Sequence, residues 1–289
     1  SQFGRFFNTG PIKGKGDPFF FLHTLLWAFL PWSLLLYAAL FQKVKAFRNI
    51  ASQEWYTFFG SILCLLLFSA SGFQLPHYVN IVFPFFAILT ANYVLSLKNE
   101  RSLKAINVIQ SIIAIILLLL LIAVHFFFRP GFYISFIALG TLILATILYF
   151  RAWRFAMLKT AIAAIAVNLY LNWVFYPALL KYQSGSEAAF FINKHYPGVP
   201  VVQLRDRYSY AMEFYLQVPL ISIDSVSELS EMGSSVILYA PEREVPAVPD
   251  GKLIRAFDNF HISRLTPRLL NHATREQEVE QFNLYFVYQ

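Results

Sequence analysis

Six long apolar runs, separated by short polar segments, occupy residues 19–178 of the chain. A helix needs about 20 apolar residues to cross a bilayer core of roughly 30 Å, and each run is close to that length. The runs cover residues 19–41, 55–72, 78–97, 105–128, 131–150 and 153–177. This pattern predicts an α-helical polytopic membrane protein, preceded by a polar segment at residues 1–18.

The pattern changes to shorter apolar runs in residues 179–289. The stretch "SGSEAAFFINKHYPG" predicts a capped amphipathic helix, and "VPVVQL", "VPLISI" and "SSVILYA" are typical of short buried strands. Two helical stretches, "YSYAMEFYL" and "SVSELSEM", lie between those strands, and "KLIRAFDNFHISRL" and "EQFNLYFVYQ" predict later strands. Strand–helix alternation of this kind predicts a small α/β domain at the C-terminal end.

The composition supports a membrane location. Apolar residues make up 57% of the chain and charged residues 13%, against about 45–50% and 25% in ordinary globular domains. The net charge of +7 is unevenly divided, because residues 1–181 hold 14 basic and 3 acidic residues whereas residues 182–289 hold 9 and 13. Since the excess of basic residues falls in the membrane region, the positive-inside rule explains it, and nucleic acid is not an expected partner.

The charges of the loops predict the orientation. Loops 42–54 and 98–104 and the turn after residue 150 are rich in Lys and Arg, whereas loop 71–77 has neither and loop 128–130 has only Arg129. The basic loops are therefore expected in the cytoplasm. Segment 1–18 and domain 179–289 are then both extracytoplasmic, and Lys159 lies near a cytoplasmic helix end, from where it can extend to the headgroups.

An extracytoplasmic start without a signal sequence predicts an odd number of further spans upstream. We therefore expect this chain to be the C-terminal part of a larger protein. The sequence has no cluster with metal-ligand spacing and no Gly-x-Ser-x-Gly motif, so neither a metal site nor a catalytic residue is predicted from spacing. The single cysteine, Cys64, excludes an intrachain disulfide bond.

The N-terminal segment carries three cations on the side where the positive-inside rule does not favour them: Arg5, Lys13 and Lys15. Two explanations stay open, contact with lipid headgroups or a site for an anionic group such as a lipid phosphate. The stretch "GPIKGKGD" has the wrong spacing for a phosphate-binding loop. Asp17 either caps the first helix, contacts a substrate or pairs with the lysines.

Two stretches of this sequence are similar to one known family. They are "RFF…KGDPFFFLHTLLWAFLPWSLLL" and "SASGFQLPHYVNIVFPFFAILTANY". Arg5-Phe6, the run from Pro18 to Phe21, Pro31-Trp32 and the element from Ser71 to Tyr78 resemble the bacterial dolichyl-phosphate-mannose–protein mannosyltransferase-like family, which includes the aminoarabinose transferases of lipid A. The motifs cover about the first 95 residues, and the remainder is similar in architecture.

The resemblance implies a GT-C glycosyltransferase in the bacterial inner membrane. Such an enzyme takes a sugar from a polyprenyl-phosphate donor and gives it to an acceptor lipid, glycan or protein on the periplasmic face, with no certain cofactor. The family's catalytic acidic residue lies in a first outer loop that this chain lacks. Gln74 replaces the family's usual Lys, which would contact the donor phosphate, and this shifts that role towards the three cations.

Segment 1–18 and loop 71–77 are both expected on the outer side, and together they predict a rim around a lipid-phosphate site. Its candidate residues are Arg5, Lys13, Lys15, Asp17, Gln74, His77 and Tyr78. Two other classes stay open, a polytopic transporter or lipid flippase, and a subunit that binds membrane lipid without catalysis. Transporters tend to place charged groups and interrupted helices near mid-membrane, whereas the polar groups here cluster at the outer face.

Overall fold

The structure is a computed structural model that describes residues 16–47, 52–130, 139, 140, 143, 156–245, 248, 251–262 and 264–288. The chain divides into two compact units. One is drawn from Ser1–Leu119 and Ile137–Val167, and the other from Leu120–Phe136 and Asn168–Gln289. The predicted boundaries at residues 18 and 178 stay predictions.

Apolar helices form the described part of the first unit. They are α1 (Phe20–Ala28), α2 (Ser33–Lys45), α3 (Ser52–Ser69), α4 (Phe83–Ser96), α5 (Glu100–Phe128, which continues into the second unit) and α6 (Ala156–Tyr170, likewise). A 3-10 turn at Pro76–Val82 precedes α4. Phe21, Leu25, Leu36, Val79 and Phe86 are among the buried side chains that pack α1 to α4 together.

The first predicted span, residues 19–41, is two helices rather than one. Helix α1 ends at Ala28 and α2 begins at Ser33, with Pro31 between them. Proline has no amide hydrogen and its ring clashes with the preceding helical turn, so it interrupts a continuous helix. The Trp32 N–H instead donates to the Phe29 carbonyl over 2.9 Å, and the Leu30–Pro31 peptide bond is cis.

Three helical segments within the described residues are long and apolar enough to cross a membrane. They are Pro76–Ser96, Glu100–Phe128 and Ala156–Leu180. A further apolar helix, Glu54–Ser69, is shorter. These segments support the predicted membrane class, while the count of six stays a prediction. The fifth predicted span, 131–150, lies outside the described residues except for 139, 140 and 143.

Lys159 is buried rather than extended towards headgroups, with only 3% of its surface exposed. Its Nζ donates a hydrogen bond to the Asn107 Oδ1 of α5 over 3.1 Å. On the neighbouring residue, Thr160 Oγ1 accepts a 3.1 Å hydrogen bond from Trp32 Nε1. The Lys159 contact joins α6 to α5 and explains why the lysine side chain faces the protein. The Thr160 contact joins α6 to Trp32, the residue directly before α2.

The second unit contains a five-stranded sheet. Its strands are β1 (Val201–Leu204), β2 (Leu220–Ile223), β3 (Val236–Pro241), β4 (Gly251–Asn259) and β5 (Glu280–Val287). The order is β2-β1-β3-β5-β4, with β1 parallel to β2 and β3, and β5 antiparallel to β3 and β4. Each run that predicted a strand contains one, although the run that begins at Lys252 is a strand only as far as Asn259, and the expected small α/β layer is present.

Helices α7 (Tyr176–Leu180), α8 (Ser184–His195), α9 (Tyr210–Tyr215) and α10 (Pro267–Leu270) accompany the sheet. A π turn at Leu171–Phe175 precedes α7. Because β1 and β3 are buried along their whole length, apolar side chains pack on both faces of the sheet. Val202 and Leu238 lie in one cluster, and Ile192 and Ile237 in the other. The segment "SVSELSEM" forms a 3-10 turn at Val226–Glu231.

Candidate functional site

Asp17 and Gln74, 57 positions apart, are joined by a reciprocal pair of hydrogen bonds. The Asp17 N–H donates to Gln74 Oε1 over 2.9 Å, and Gln74 Nε2 donates back to the Asp17 carbonyl over 3.0 Å. The second Nε2 hydrogen is directed to the Ser69 carbonyl, 3.1 Å away at the end of α3. Asp17, three residues before α1, is therefore hydrogen-bonded to loop 71–77. The Gln74 amide uses its oxygen and both of its N–H groups in these contacts.

The two segments also approach each other closely at Gly16. A β-carbon added there would lie 3.2 Å from the Ser71 carbonyl oxygen and 3.3 Å from the Gly72 α-carbon. Ser71 shapes that loop, because its Oγ donates to the Phe73 carbonyl over 3.0 Å and accepts from the Phe73 N–H. The absence of a side chain at Gly16 is what permits the contact.

Asp17 supports the start of the first helix from outside the N-cap position. Residue Phe19 occupies that position, and its N–H donates to Asp17 Oδ1 over 2.9 Å. The second carboxylate oxygen lies 4.0 Å from His23 Nδ1, with both side chains largely exposed. The expectation that Asp17 caps the first helix from the N-cap position is therefore wrong, because Phe19 occupies that position and no side chain caps it.

His77 and Tyr78 lie in the adjoining 3-10 turn. The His77 side chain is exposed and that of Tyr78 is half-buried, and their rings meet edge-on with centroids 5.0 Å apart. The Tyr78 ring also contacts Phe68 of α3 at 5.8 Å. The structure thus brings Asp17 and Gln74 together and places His77 and Tyr78 in the segment that follows. Arg5, Lys13 and Lys15 lie outside the described residues.

The second unit contains a cleft that was not predicted from the sequence. It measures about 450 Å³ and is lined on one side by Asp206, Tyr208 and Tyr210, and on the other by Asn259 and His261. The stretch "RDRYSY", polar and aromatic directly after a buried strand, was the available signal. Its position at the end of β1 is the position at which α/β sheets present binding loops.

Two tyrosines of this cleft have perturbed hydroxyls. Burial raises the pKa of Tyr239 above its ordinary value, so this phenol stays protonated. A hydrogen bond to Glu213 raises the pKa of Tyr208 to about 12. Both hydroxyls already have partners within the protein, Glu213 for Tyr208 and Ser184 for Tyr239.

The fold of this chain is shared by solved structures. Two solved structures with this fold are of ArnT from Cupriavidus metallidurans, one in the apo state and one bound to undecaprenyl phosphate. The apo structure matches 98% of this chain at 18% sequence identity with a TM-score of 0.63, and the lipid-bound structure matches 98% at 16% identity with a TM-score of 0.57.

The match covers 55% and 54% of the two ArnT chains, so this chain spans about half their length. No protein-family model and no curated protein matches the sequence. The expected helical fold with a small sheet, similar to that of ArnT, is therefore confirmed, whereas the six spans and the extracytoplasmic position of the sheet domain stay predictions.

Proposed function

We propose that this chain is part of a membrane glycosyltransferase that takes a sugar from a polyprenyl-phosphate donor at the extracytoplasmic face. The fold supports this proposal, since one of the similar ArnT structures holds undecaprenyl phosphate. The long apolar helices also support it, since they can cross the bilayer in which the lipid chain of such a donor lies.

The observation that carries the proposal is the double hydrogen bond between Asp17 and Gln74. It ties Asp17, two positions after Lys15, to loop 71–77, the one loop between predicted spans that has neither Lys nor Arg. We propose that Arg5, Lys13 and Lys15, which precede Asp17 in the sequence, bind the donor at the same rim as His77 and Tyr78.

We assign different roles to the candidate residues. Arg5, Lys13 and Lys15 bind the donor phosphate by charge-assisted hydrogen bonds, with Arg5 capable of a bidentate contact. Gln74 positions the rim, since both of its N–H groups already have backbone acceptors. Asp17 holds the same junction through its backbone, while its half-exposed carboxylate accepts from the Phe19 N–H and lies beside His23.

The reaction we propose is transfer at carbon 1 of the sugar. An acceptor hydroxyl forms the new bond to carbon 1, the bond from carbon 1 to the phosphate oxygen breaks, and polyprenyl phosphate leaves with the electron pair. A general base takes the hydroxyl proton. We expect that base among acidic residues upstream of this chain, as in the family that the sequence resembles.

Donor binding tests this proposal. Binding of undecaprenyl phosphate to the full-length protein in nanodiscs would be measured for Arg5→Ala, Lys13→Ala and Lys15→Ala. Loss of one charge-assisted contact, about 1.5–3 kcal/mol, predicts affinity lowered by roughly ten- to a hundredfold for Arg5→Ala. The two lysine variants should show smaller effects, because a neighbouring ammonium can substitute for the lost one.

Lys45→Ala is the matched control, since Lys45 is an exposed cation at the predicted cytoplasmic end of α2. Its affinity should equal that of the parent. Equal affinities for all four variants would mean that segment 1–18 does not bind the donor phosphate and that its cations contact headgroups.

A further inference from the structure

The cleft of about 450 Å³ in the second unit lies at the carboxyl ends of β1 and β3. From β1 the chain passes through α9 to β2 on one side, whereas β3 pairs with β1 on the other side. Ligands of open α/β sheets bind where the strand connections diverge in this way. The volume falls within the roughly 300–1,000 Å³ of small-molecule sites.

Buried contacts hold the wall that follows β1. Gln203, fully buried in β1, accepts a 3.1 Å hydrogen bond from the Ser209 N–H through its Oε1. Ser209 in turn caps α9, with its Oγ accepting from the Met212 N–H over 3.3 Å. A β-carbon at Gly185 would lie only 2.0 Å from that Oγ, so helix α8 packs directly on the wall. This loop is preorganised rather than free.

Helix α8 also holds the opposite wall of the cleft, which Tyr239 and Asn259 form. The Tyr239 hydroxyl lies 2.5 Å from Ser184 Oγ, which donates to Asn259 Oδ1 over 2.7 Å. Ser184 is fully buried. The Asn259 Nδ2 group has no hydrogen-bond acceptor among the described residues, and Asn259 lines the cleft. An amide with a fixed oxygen and an available amino group is suited to recognise a hydroxyl of a ligand.

The lining combines aromatic surfaces with hydrogen-bonding groups. Tyr208 and Tyr210 form an aromatic pair with ring centroids 5.0 Å apart, and Tyr210 is 79% exposed. The rings of Tyr239 and Phe282, stacked at 4.9 Å, are buried at the cleft, so its exposed aromatic surface is that of Tyr208 and Tyr210. Sugar rings present C–H faces that pack on aromatic side chains and hydroxyls that bond to amides and carboxylates, so this lining matches their two kinds of surface.

The charge of the lining limits the class of ligand. Asp206 and Glu280 contribute two carboxylates, and the cation of Arg207 is already paired with Glu244. The Arg207 Nε donates to Glu244 Oε1 over 2.7 Å. Although Arg207 also interacts with Asp206 and Glu280, the net charge of this group is negative, so it disfavours an acidic ligand more than an uncharged or amino-bearing one.

We propose that this cleft is a binding site for a saccharide without acidic groups, held between the Tyr208–Tyr210 pair and Asn259. The proposal concerns the second unit by itself and does not rest on the proposed transferase activity. The saccharide could be a free oligosaccharide or the glycan part of a larger molecule, because the cleft recognises the sugar rings that both sources share.

Binding of three disaccharides to the full chain would test the site: N,N′-diacetylchitobiose, its amino form from chitosan, and digalacturonic acid. The protein is kept in a polyoxyethylene detergent, since alkyl maltosides carry a competing sugar. Saturation-transfer difference NMR and calorimetry should detect the first two ligands and not the acidic one. Tyr210→Ala should weaken binding at least about tenfold, the effect of losing one stacking contact worth roughly 1.4 kcal/mol.

Phe214→Ala is the matched control, because Phe214 is also on α9, is 80% exposed and does not line the cleft. It should bind as the parent does. The proposal is overturned if neither uncharged nor amino disaccharide binds, if digalacturonic acid binds equally well, or if the Phe214 and Tyr210 variants lose affinity alike. A chain that binds disaccharides but not undecaprenyl phosphate would contradict the proposed function alone.

Discussion

The backbone of Asp17 and the side chain of Gln74 form a closed pair of hydrogen bonds, 2.9 and 3.0 Å long, between segments separated by 57 positions. A glutamine amide is well suited to this position because it can accept from one backbone N–H and donate to two carbonyls at once. The third partner, the Ser69 carbonyl, is near the C-terminal end of α3. One side chain thus connects the start of α1 with the end of α3.

Replacing Gln74 should destabilise this junction. Gln74→Ala leaves partly buried backbone groups unsatisfied, at a cost of about 1–3 kcal/mol in the free energy of unfolding. Gln74→Glu keeps the acceptor but loses both donors and places a carboxylate beside two carbonyls, so we expect at least the same cost. Thermal unfolding of the purified chain, followed by tryptophan fluorescence, measures both.

Asn80→Ala serves as the control for Gln74, since Asn80 is exposed in the neighbouring 3-10 turn. It should unfold at the temperature of the parent. If Gln74→Ala also did so, the pair of hydrogen bonds would not be a stabilising link.

A second link lies within the second unit at Arg275. Its guanidinium donates to the Phe128 carbonyl of α5 over 2.6 Å, to the Tyr182 hydroxyl over 3.0 Å and to the Leu269 carbonyl over 2.9 Å. It also lies 4.3 Å from the Phe128 ring centroid. The final carbonyls of a helix have no partner within the helix, so Arg275 satisfies one of them for α5.

Arg275→Ala should lower the free energy of unfolding by on the order of 2–3 kcal/mol, since it removes charge-assisted hydrogen bonds and a cation–π contact. Arg275→Lys should recover little, because an ammonium cannot reproduce three directed contacts. Limited proteolysis and thermal unfolding would measure the change. Arg243→Ala is the control, an exposed arginine of the same unit, and equal stability of all three variants would refute this role.

Gly185 marks a close approach of α8 to Ser209. Gly185→Ala would place its new carbon 2.0 Å from Ser209 Oγ, so the loop must move, at a cost of about 1–3 kcal/mol. In a Ser209→Ala background the same substitution should cost less, because the clashing hydroxyl is absent. A double-mutant cycle of unfolding free energies measures this coupling.

Gly60→Ala in α3 is the matched glycine control, since no described atom outside its own stretch of helix lies within 4 Å of the added carbon. It should be neutral or slightly stabilising. Additive effects of the Gly185 and Ser209 substitutions would contradict the packing described here.

The predicted orientation can be tested by labelling in intact cells. In a Cys64→Ala background, Gln42→Cys and Lys194→Cys both place a thiol at an exposed position, one after the apolar part of α2 and one in α8. A membrane-impermeant maleimide should label Lys194→Cys and spare Gln42→Cys until the cells are permeabilised. Labelling of Gln42→Cys in intact cells would reverse the topology.

The apolar runs predicted most of the elements because burial is a local property of the sequence. The runs around Val202, Ile221 and Leu238 are strands as predicted, and their side chains fill the two faces of one sheet. The break at Pro31 also had a local signal, since proline cannot continue a helix without cost. In a membrane span proline is often tolerated, so the apolar run alone does not separate one helix from two.

The sites were less predictable because they depend on partners distant in sequence. The sequence predicts that Asp17 and Gln74 lie on the same side of the membrane, but their direct hydrogen bonds depend on how α1 packs against α3. Lys159 finds its acceptor 52 positions away in Asn107, a contact that charge patterning alone does not reveal. The cleft beside Tyr210 requires strand order, which periodicity does not supply.

The central claim is that a polyprenyl-phosphate donor binds at the rim formed by segment 1–18 and loop 71–77. Photo-crosslinking of the full-length protein in nanodiscs, with undecaprenyl phosphate that carries a photoreactive group close to the phosphate, tests it most directly. Peptide mapping by mass spectrometry should place the crosslinks in residues 1–18 and 71–78, and excess unlabelled lipid should abolish them. Crosslinks confined to loops 42–54 and 98–104, or none that the unlabelled lipid competes away, would contradict the claim.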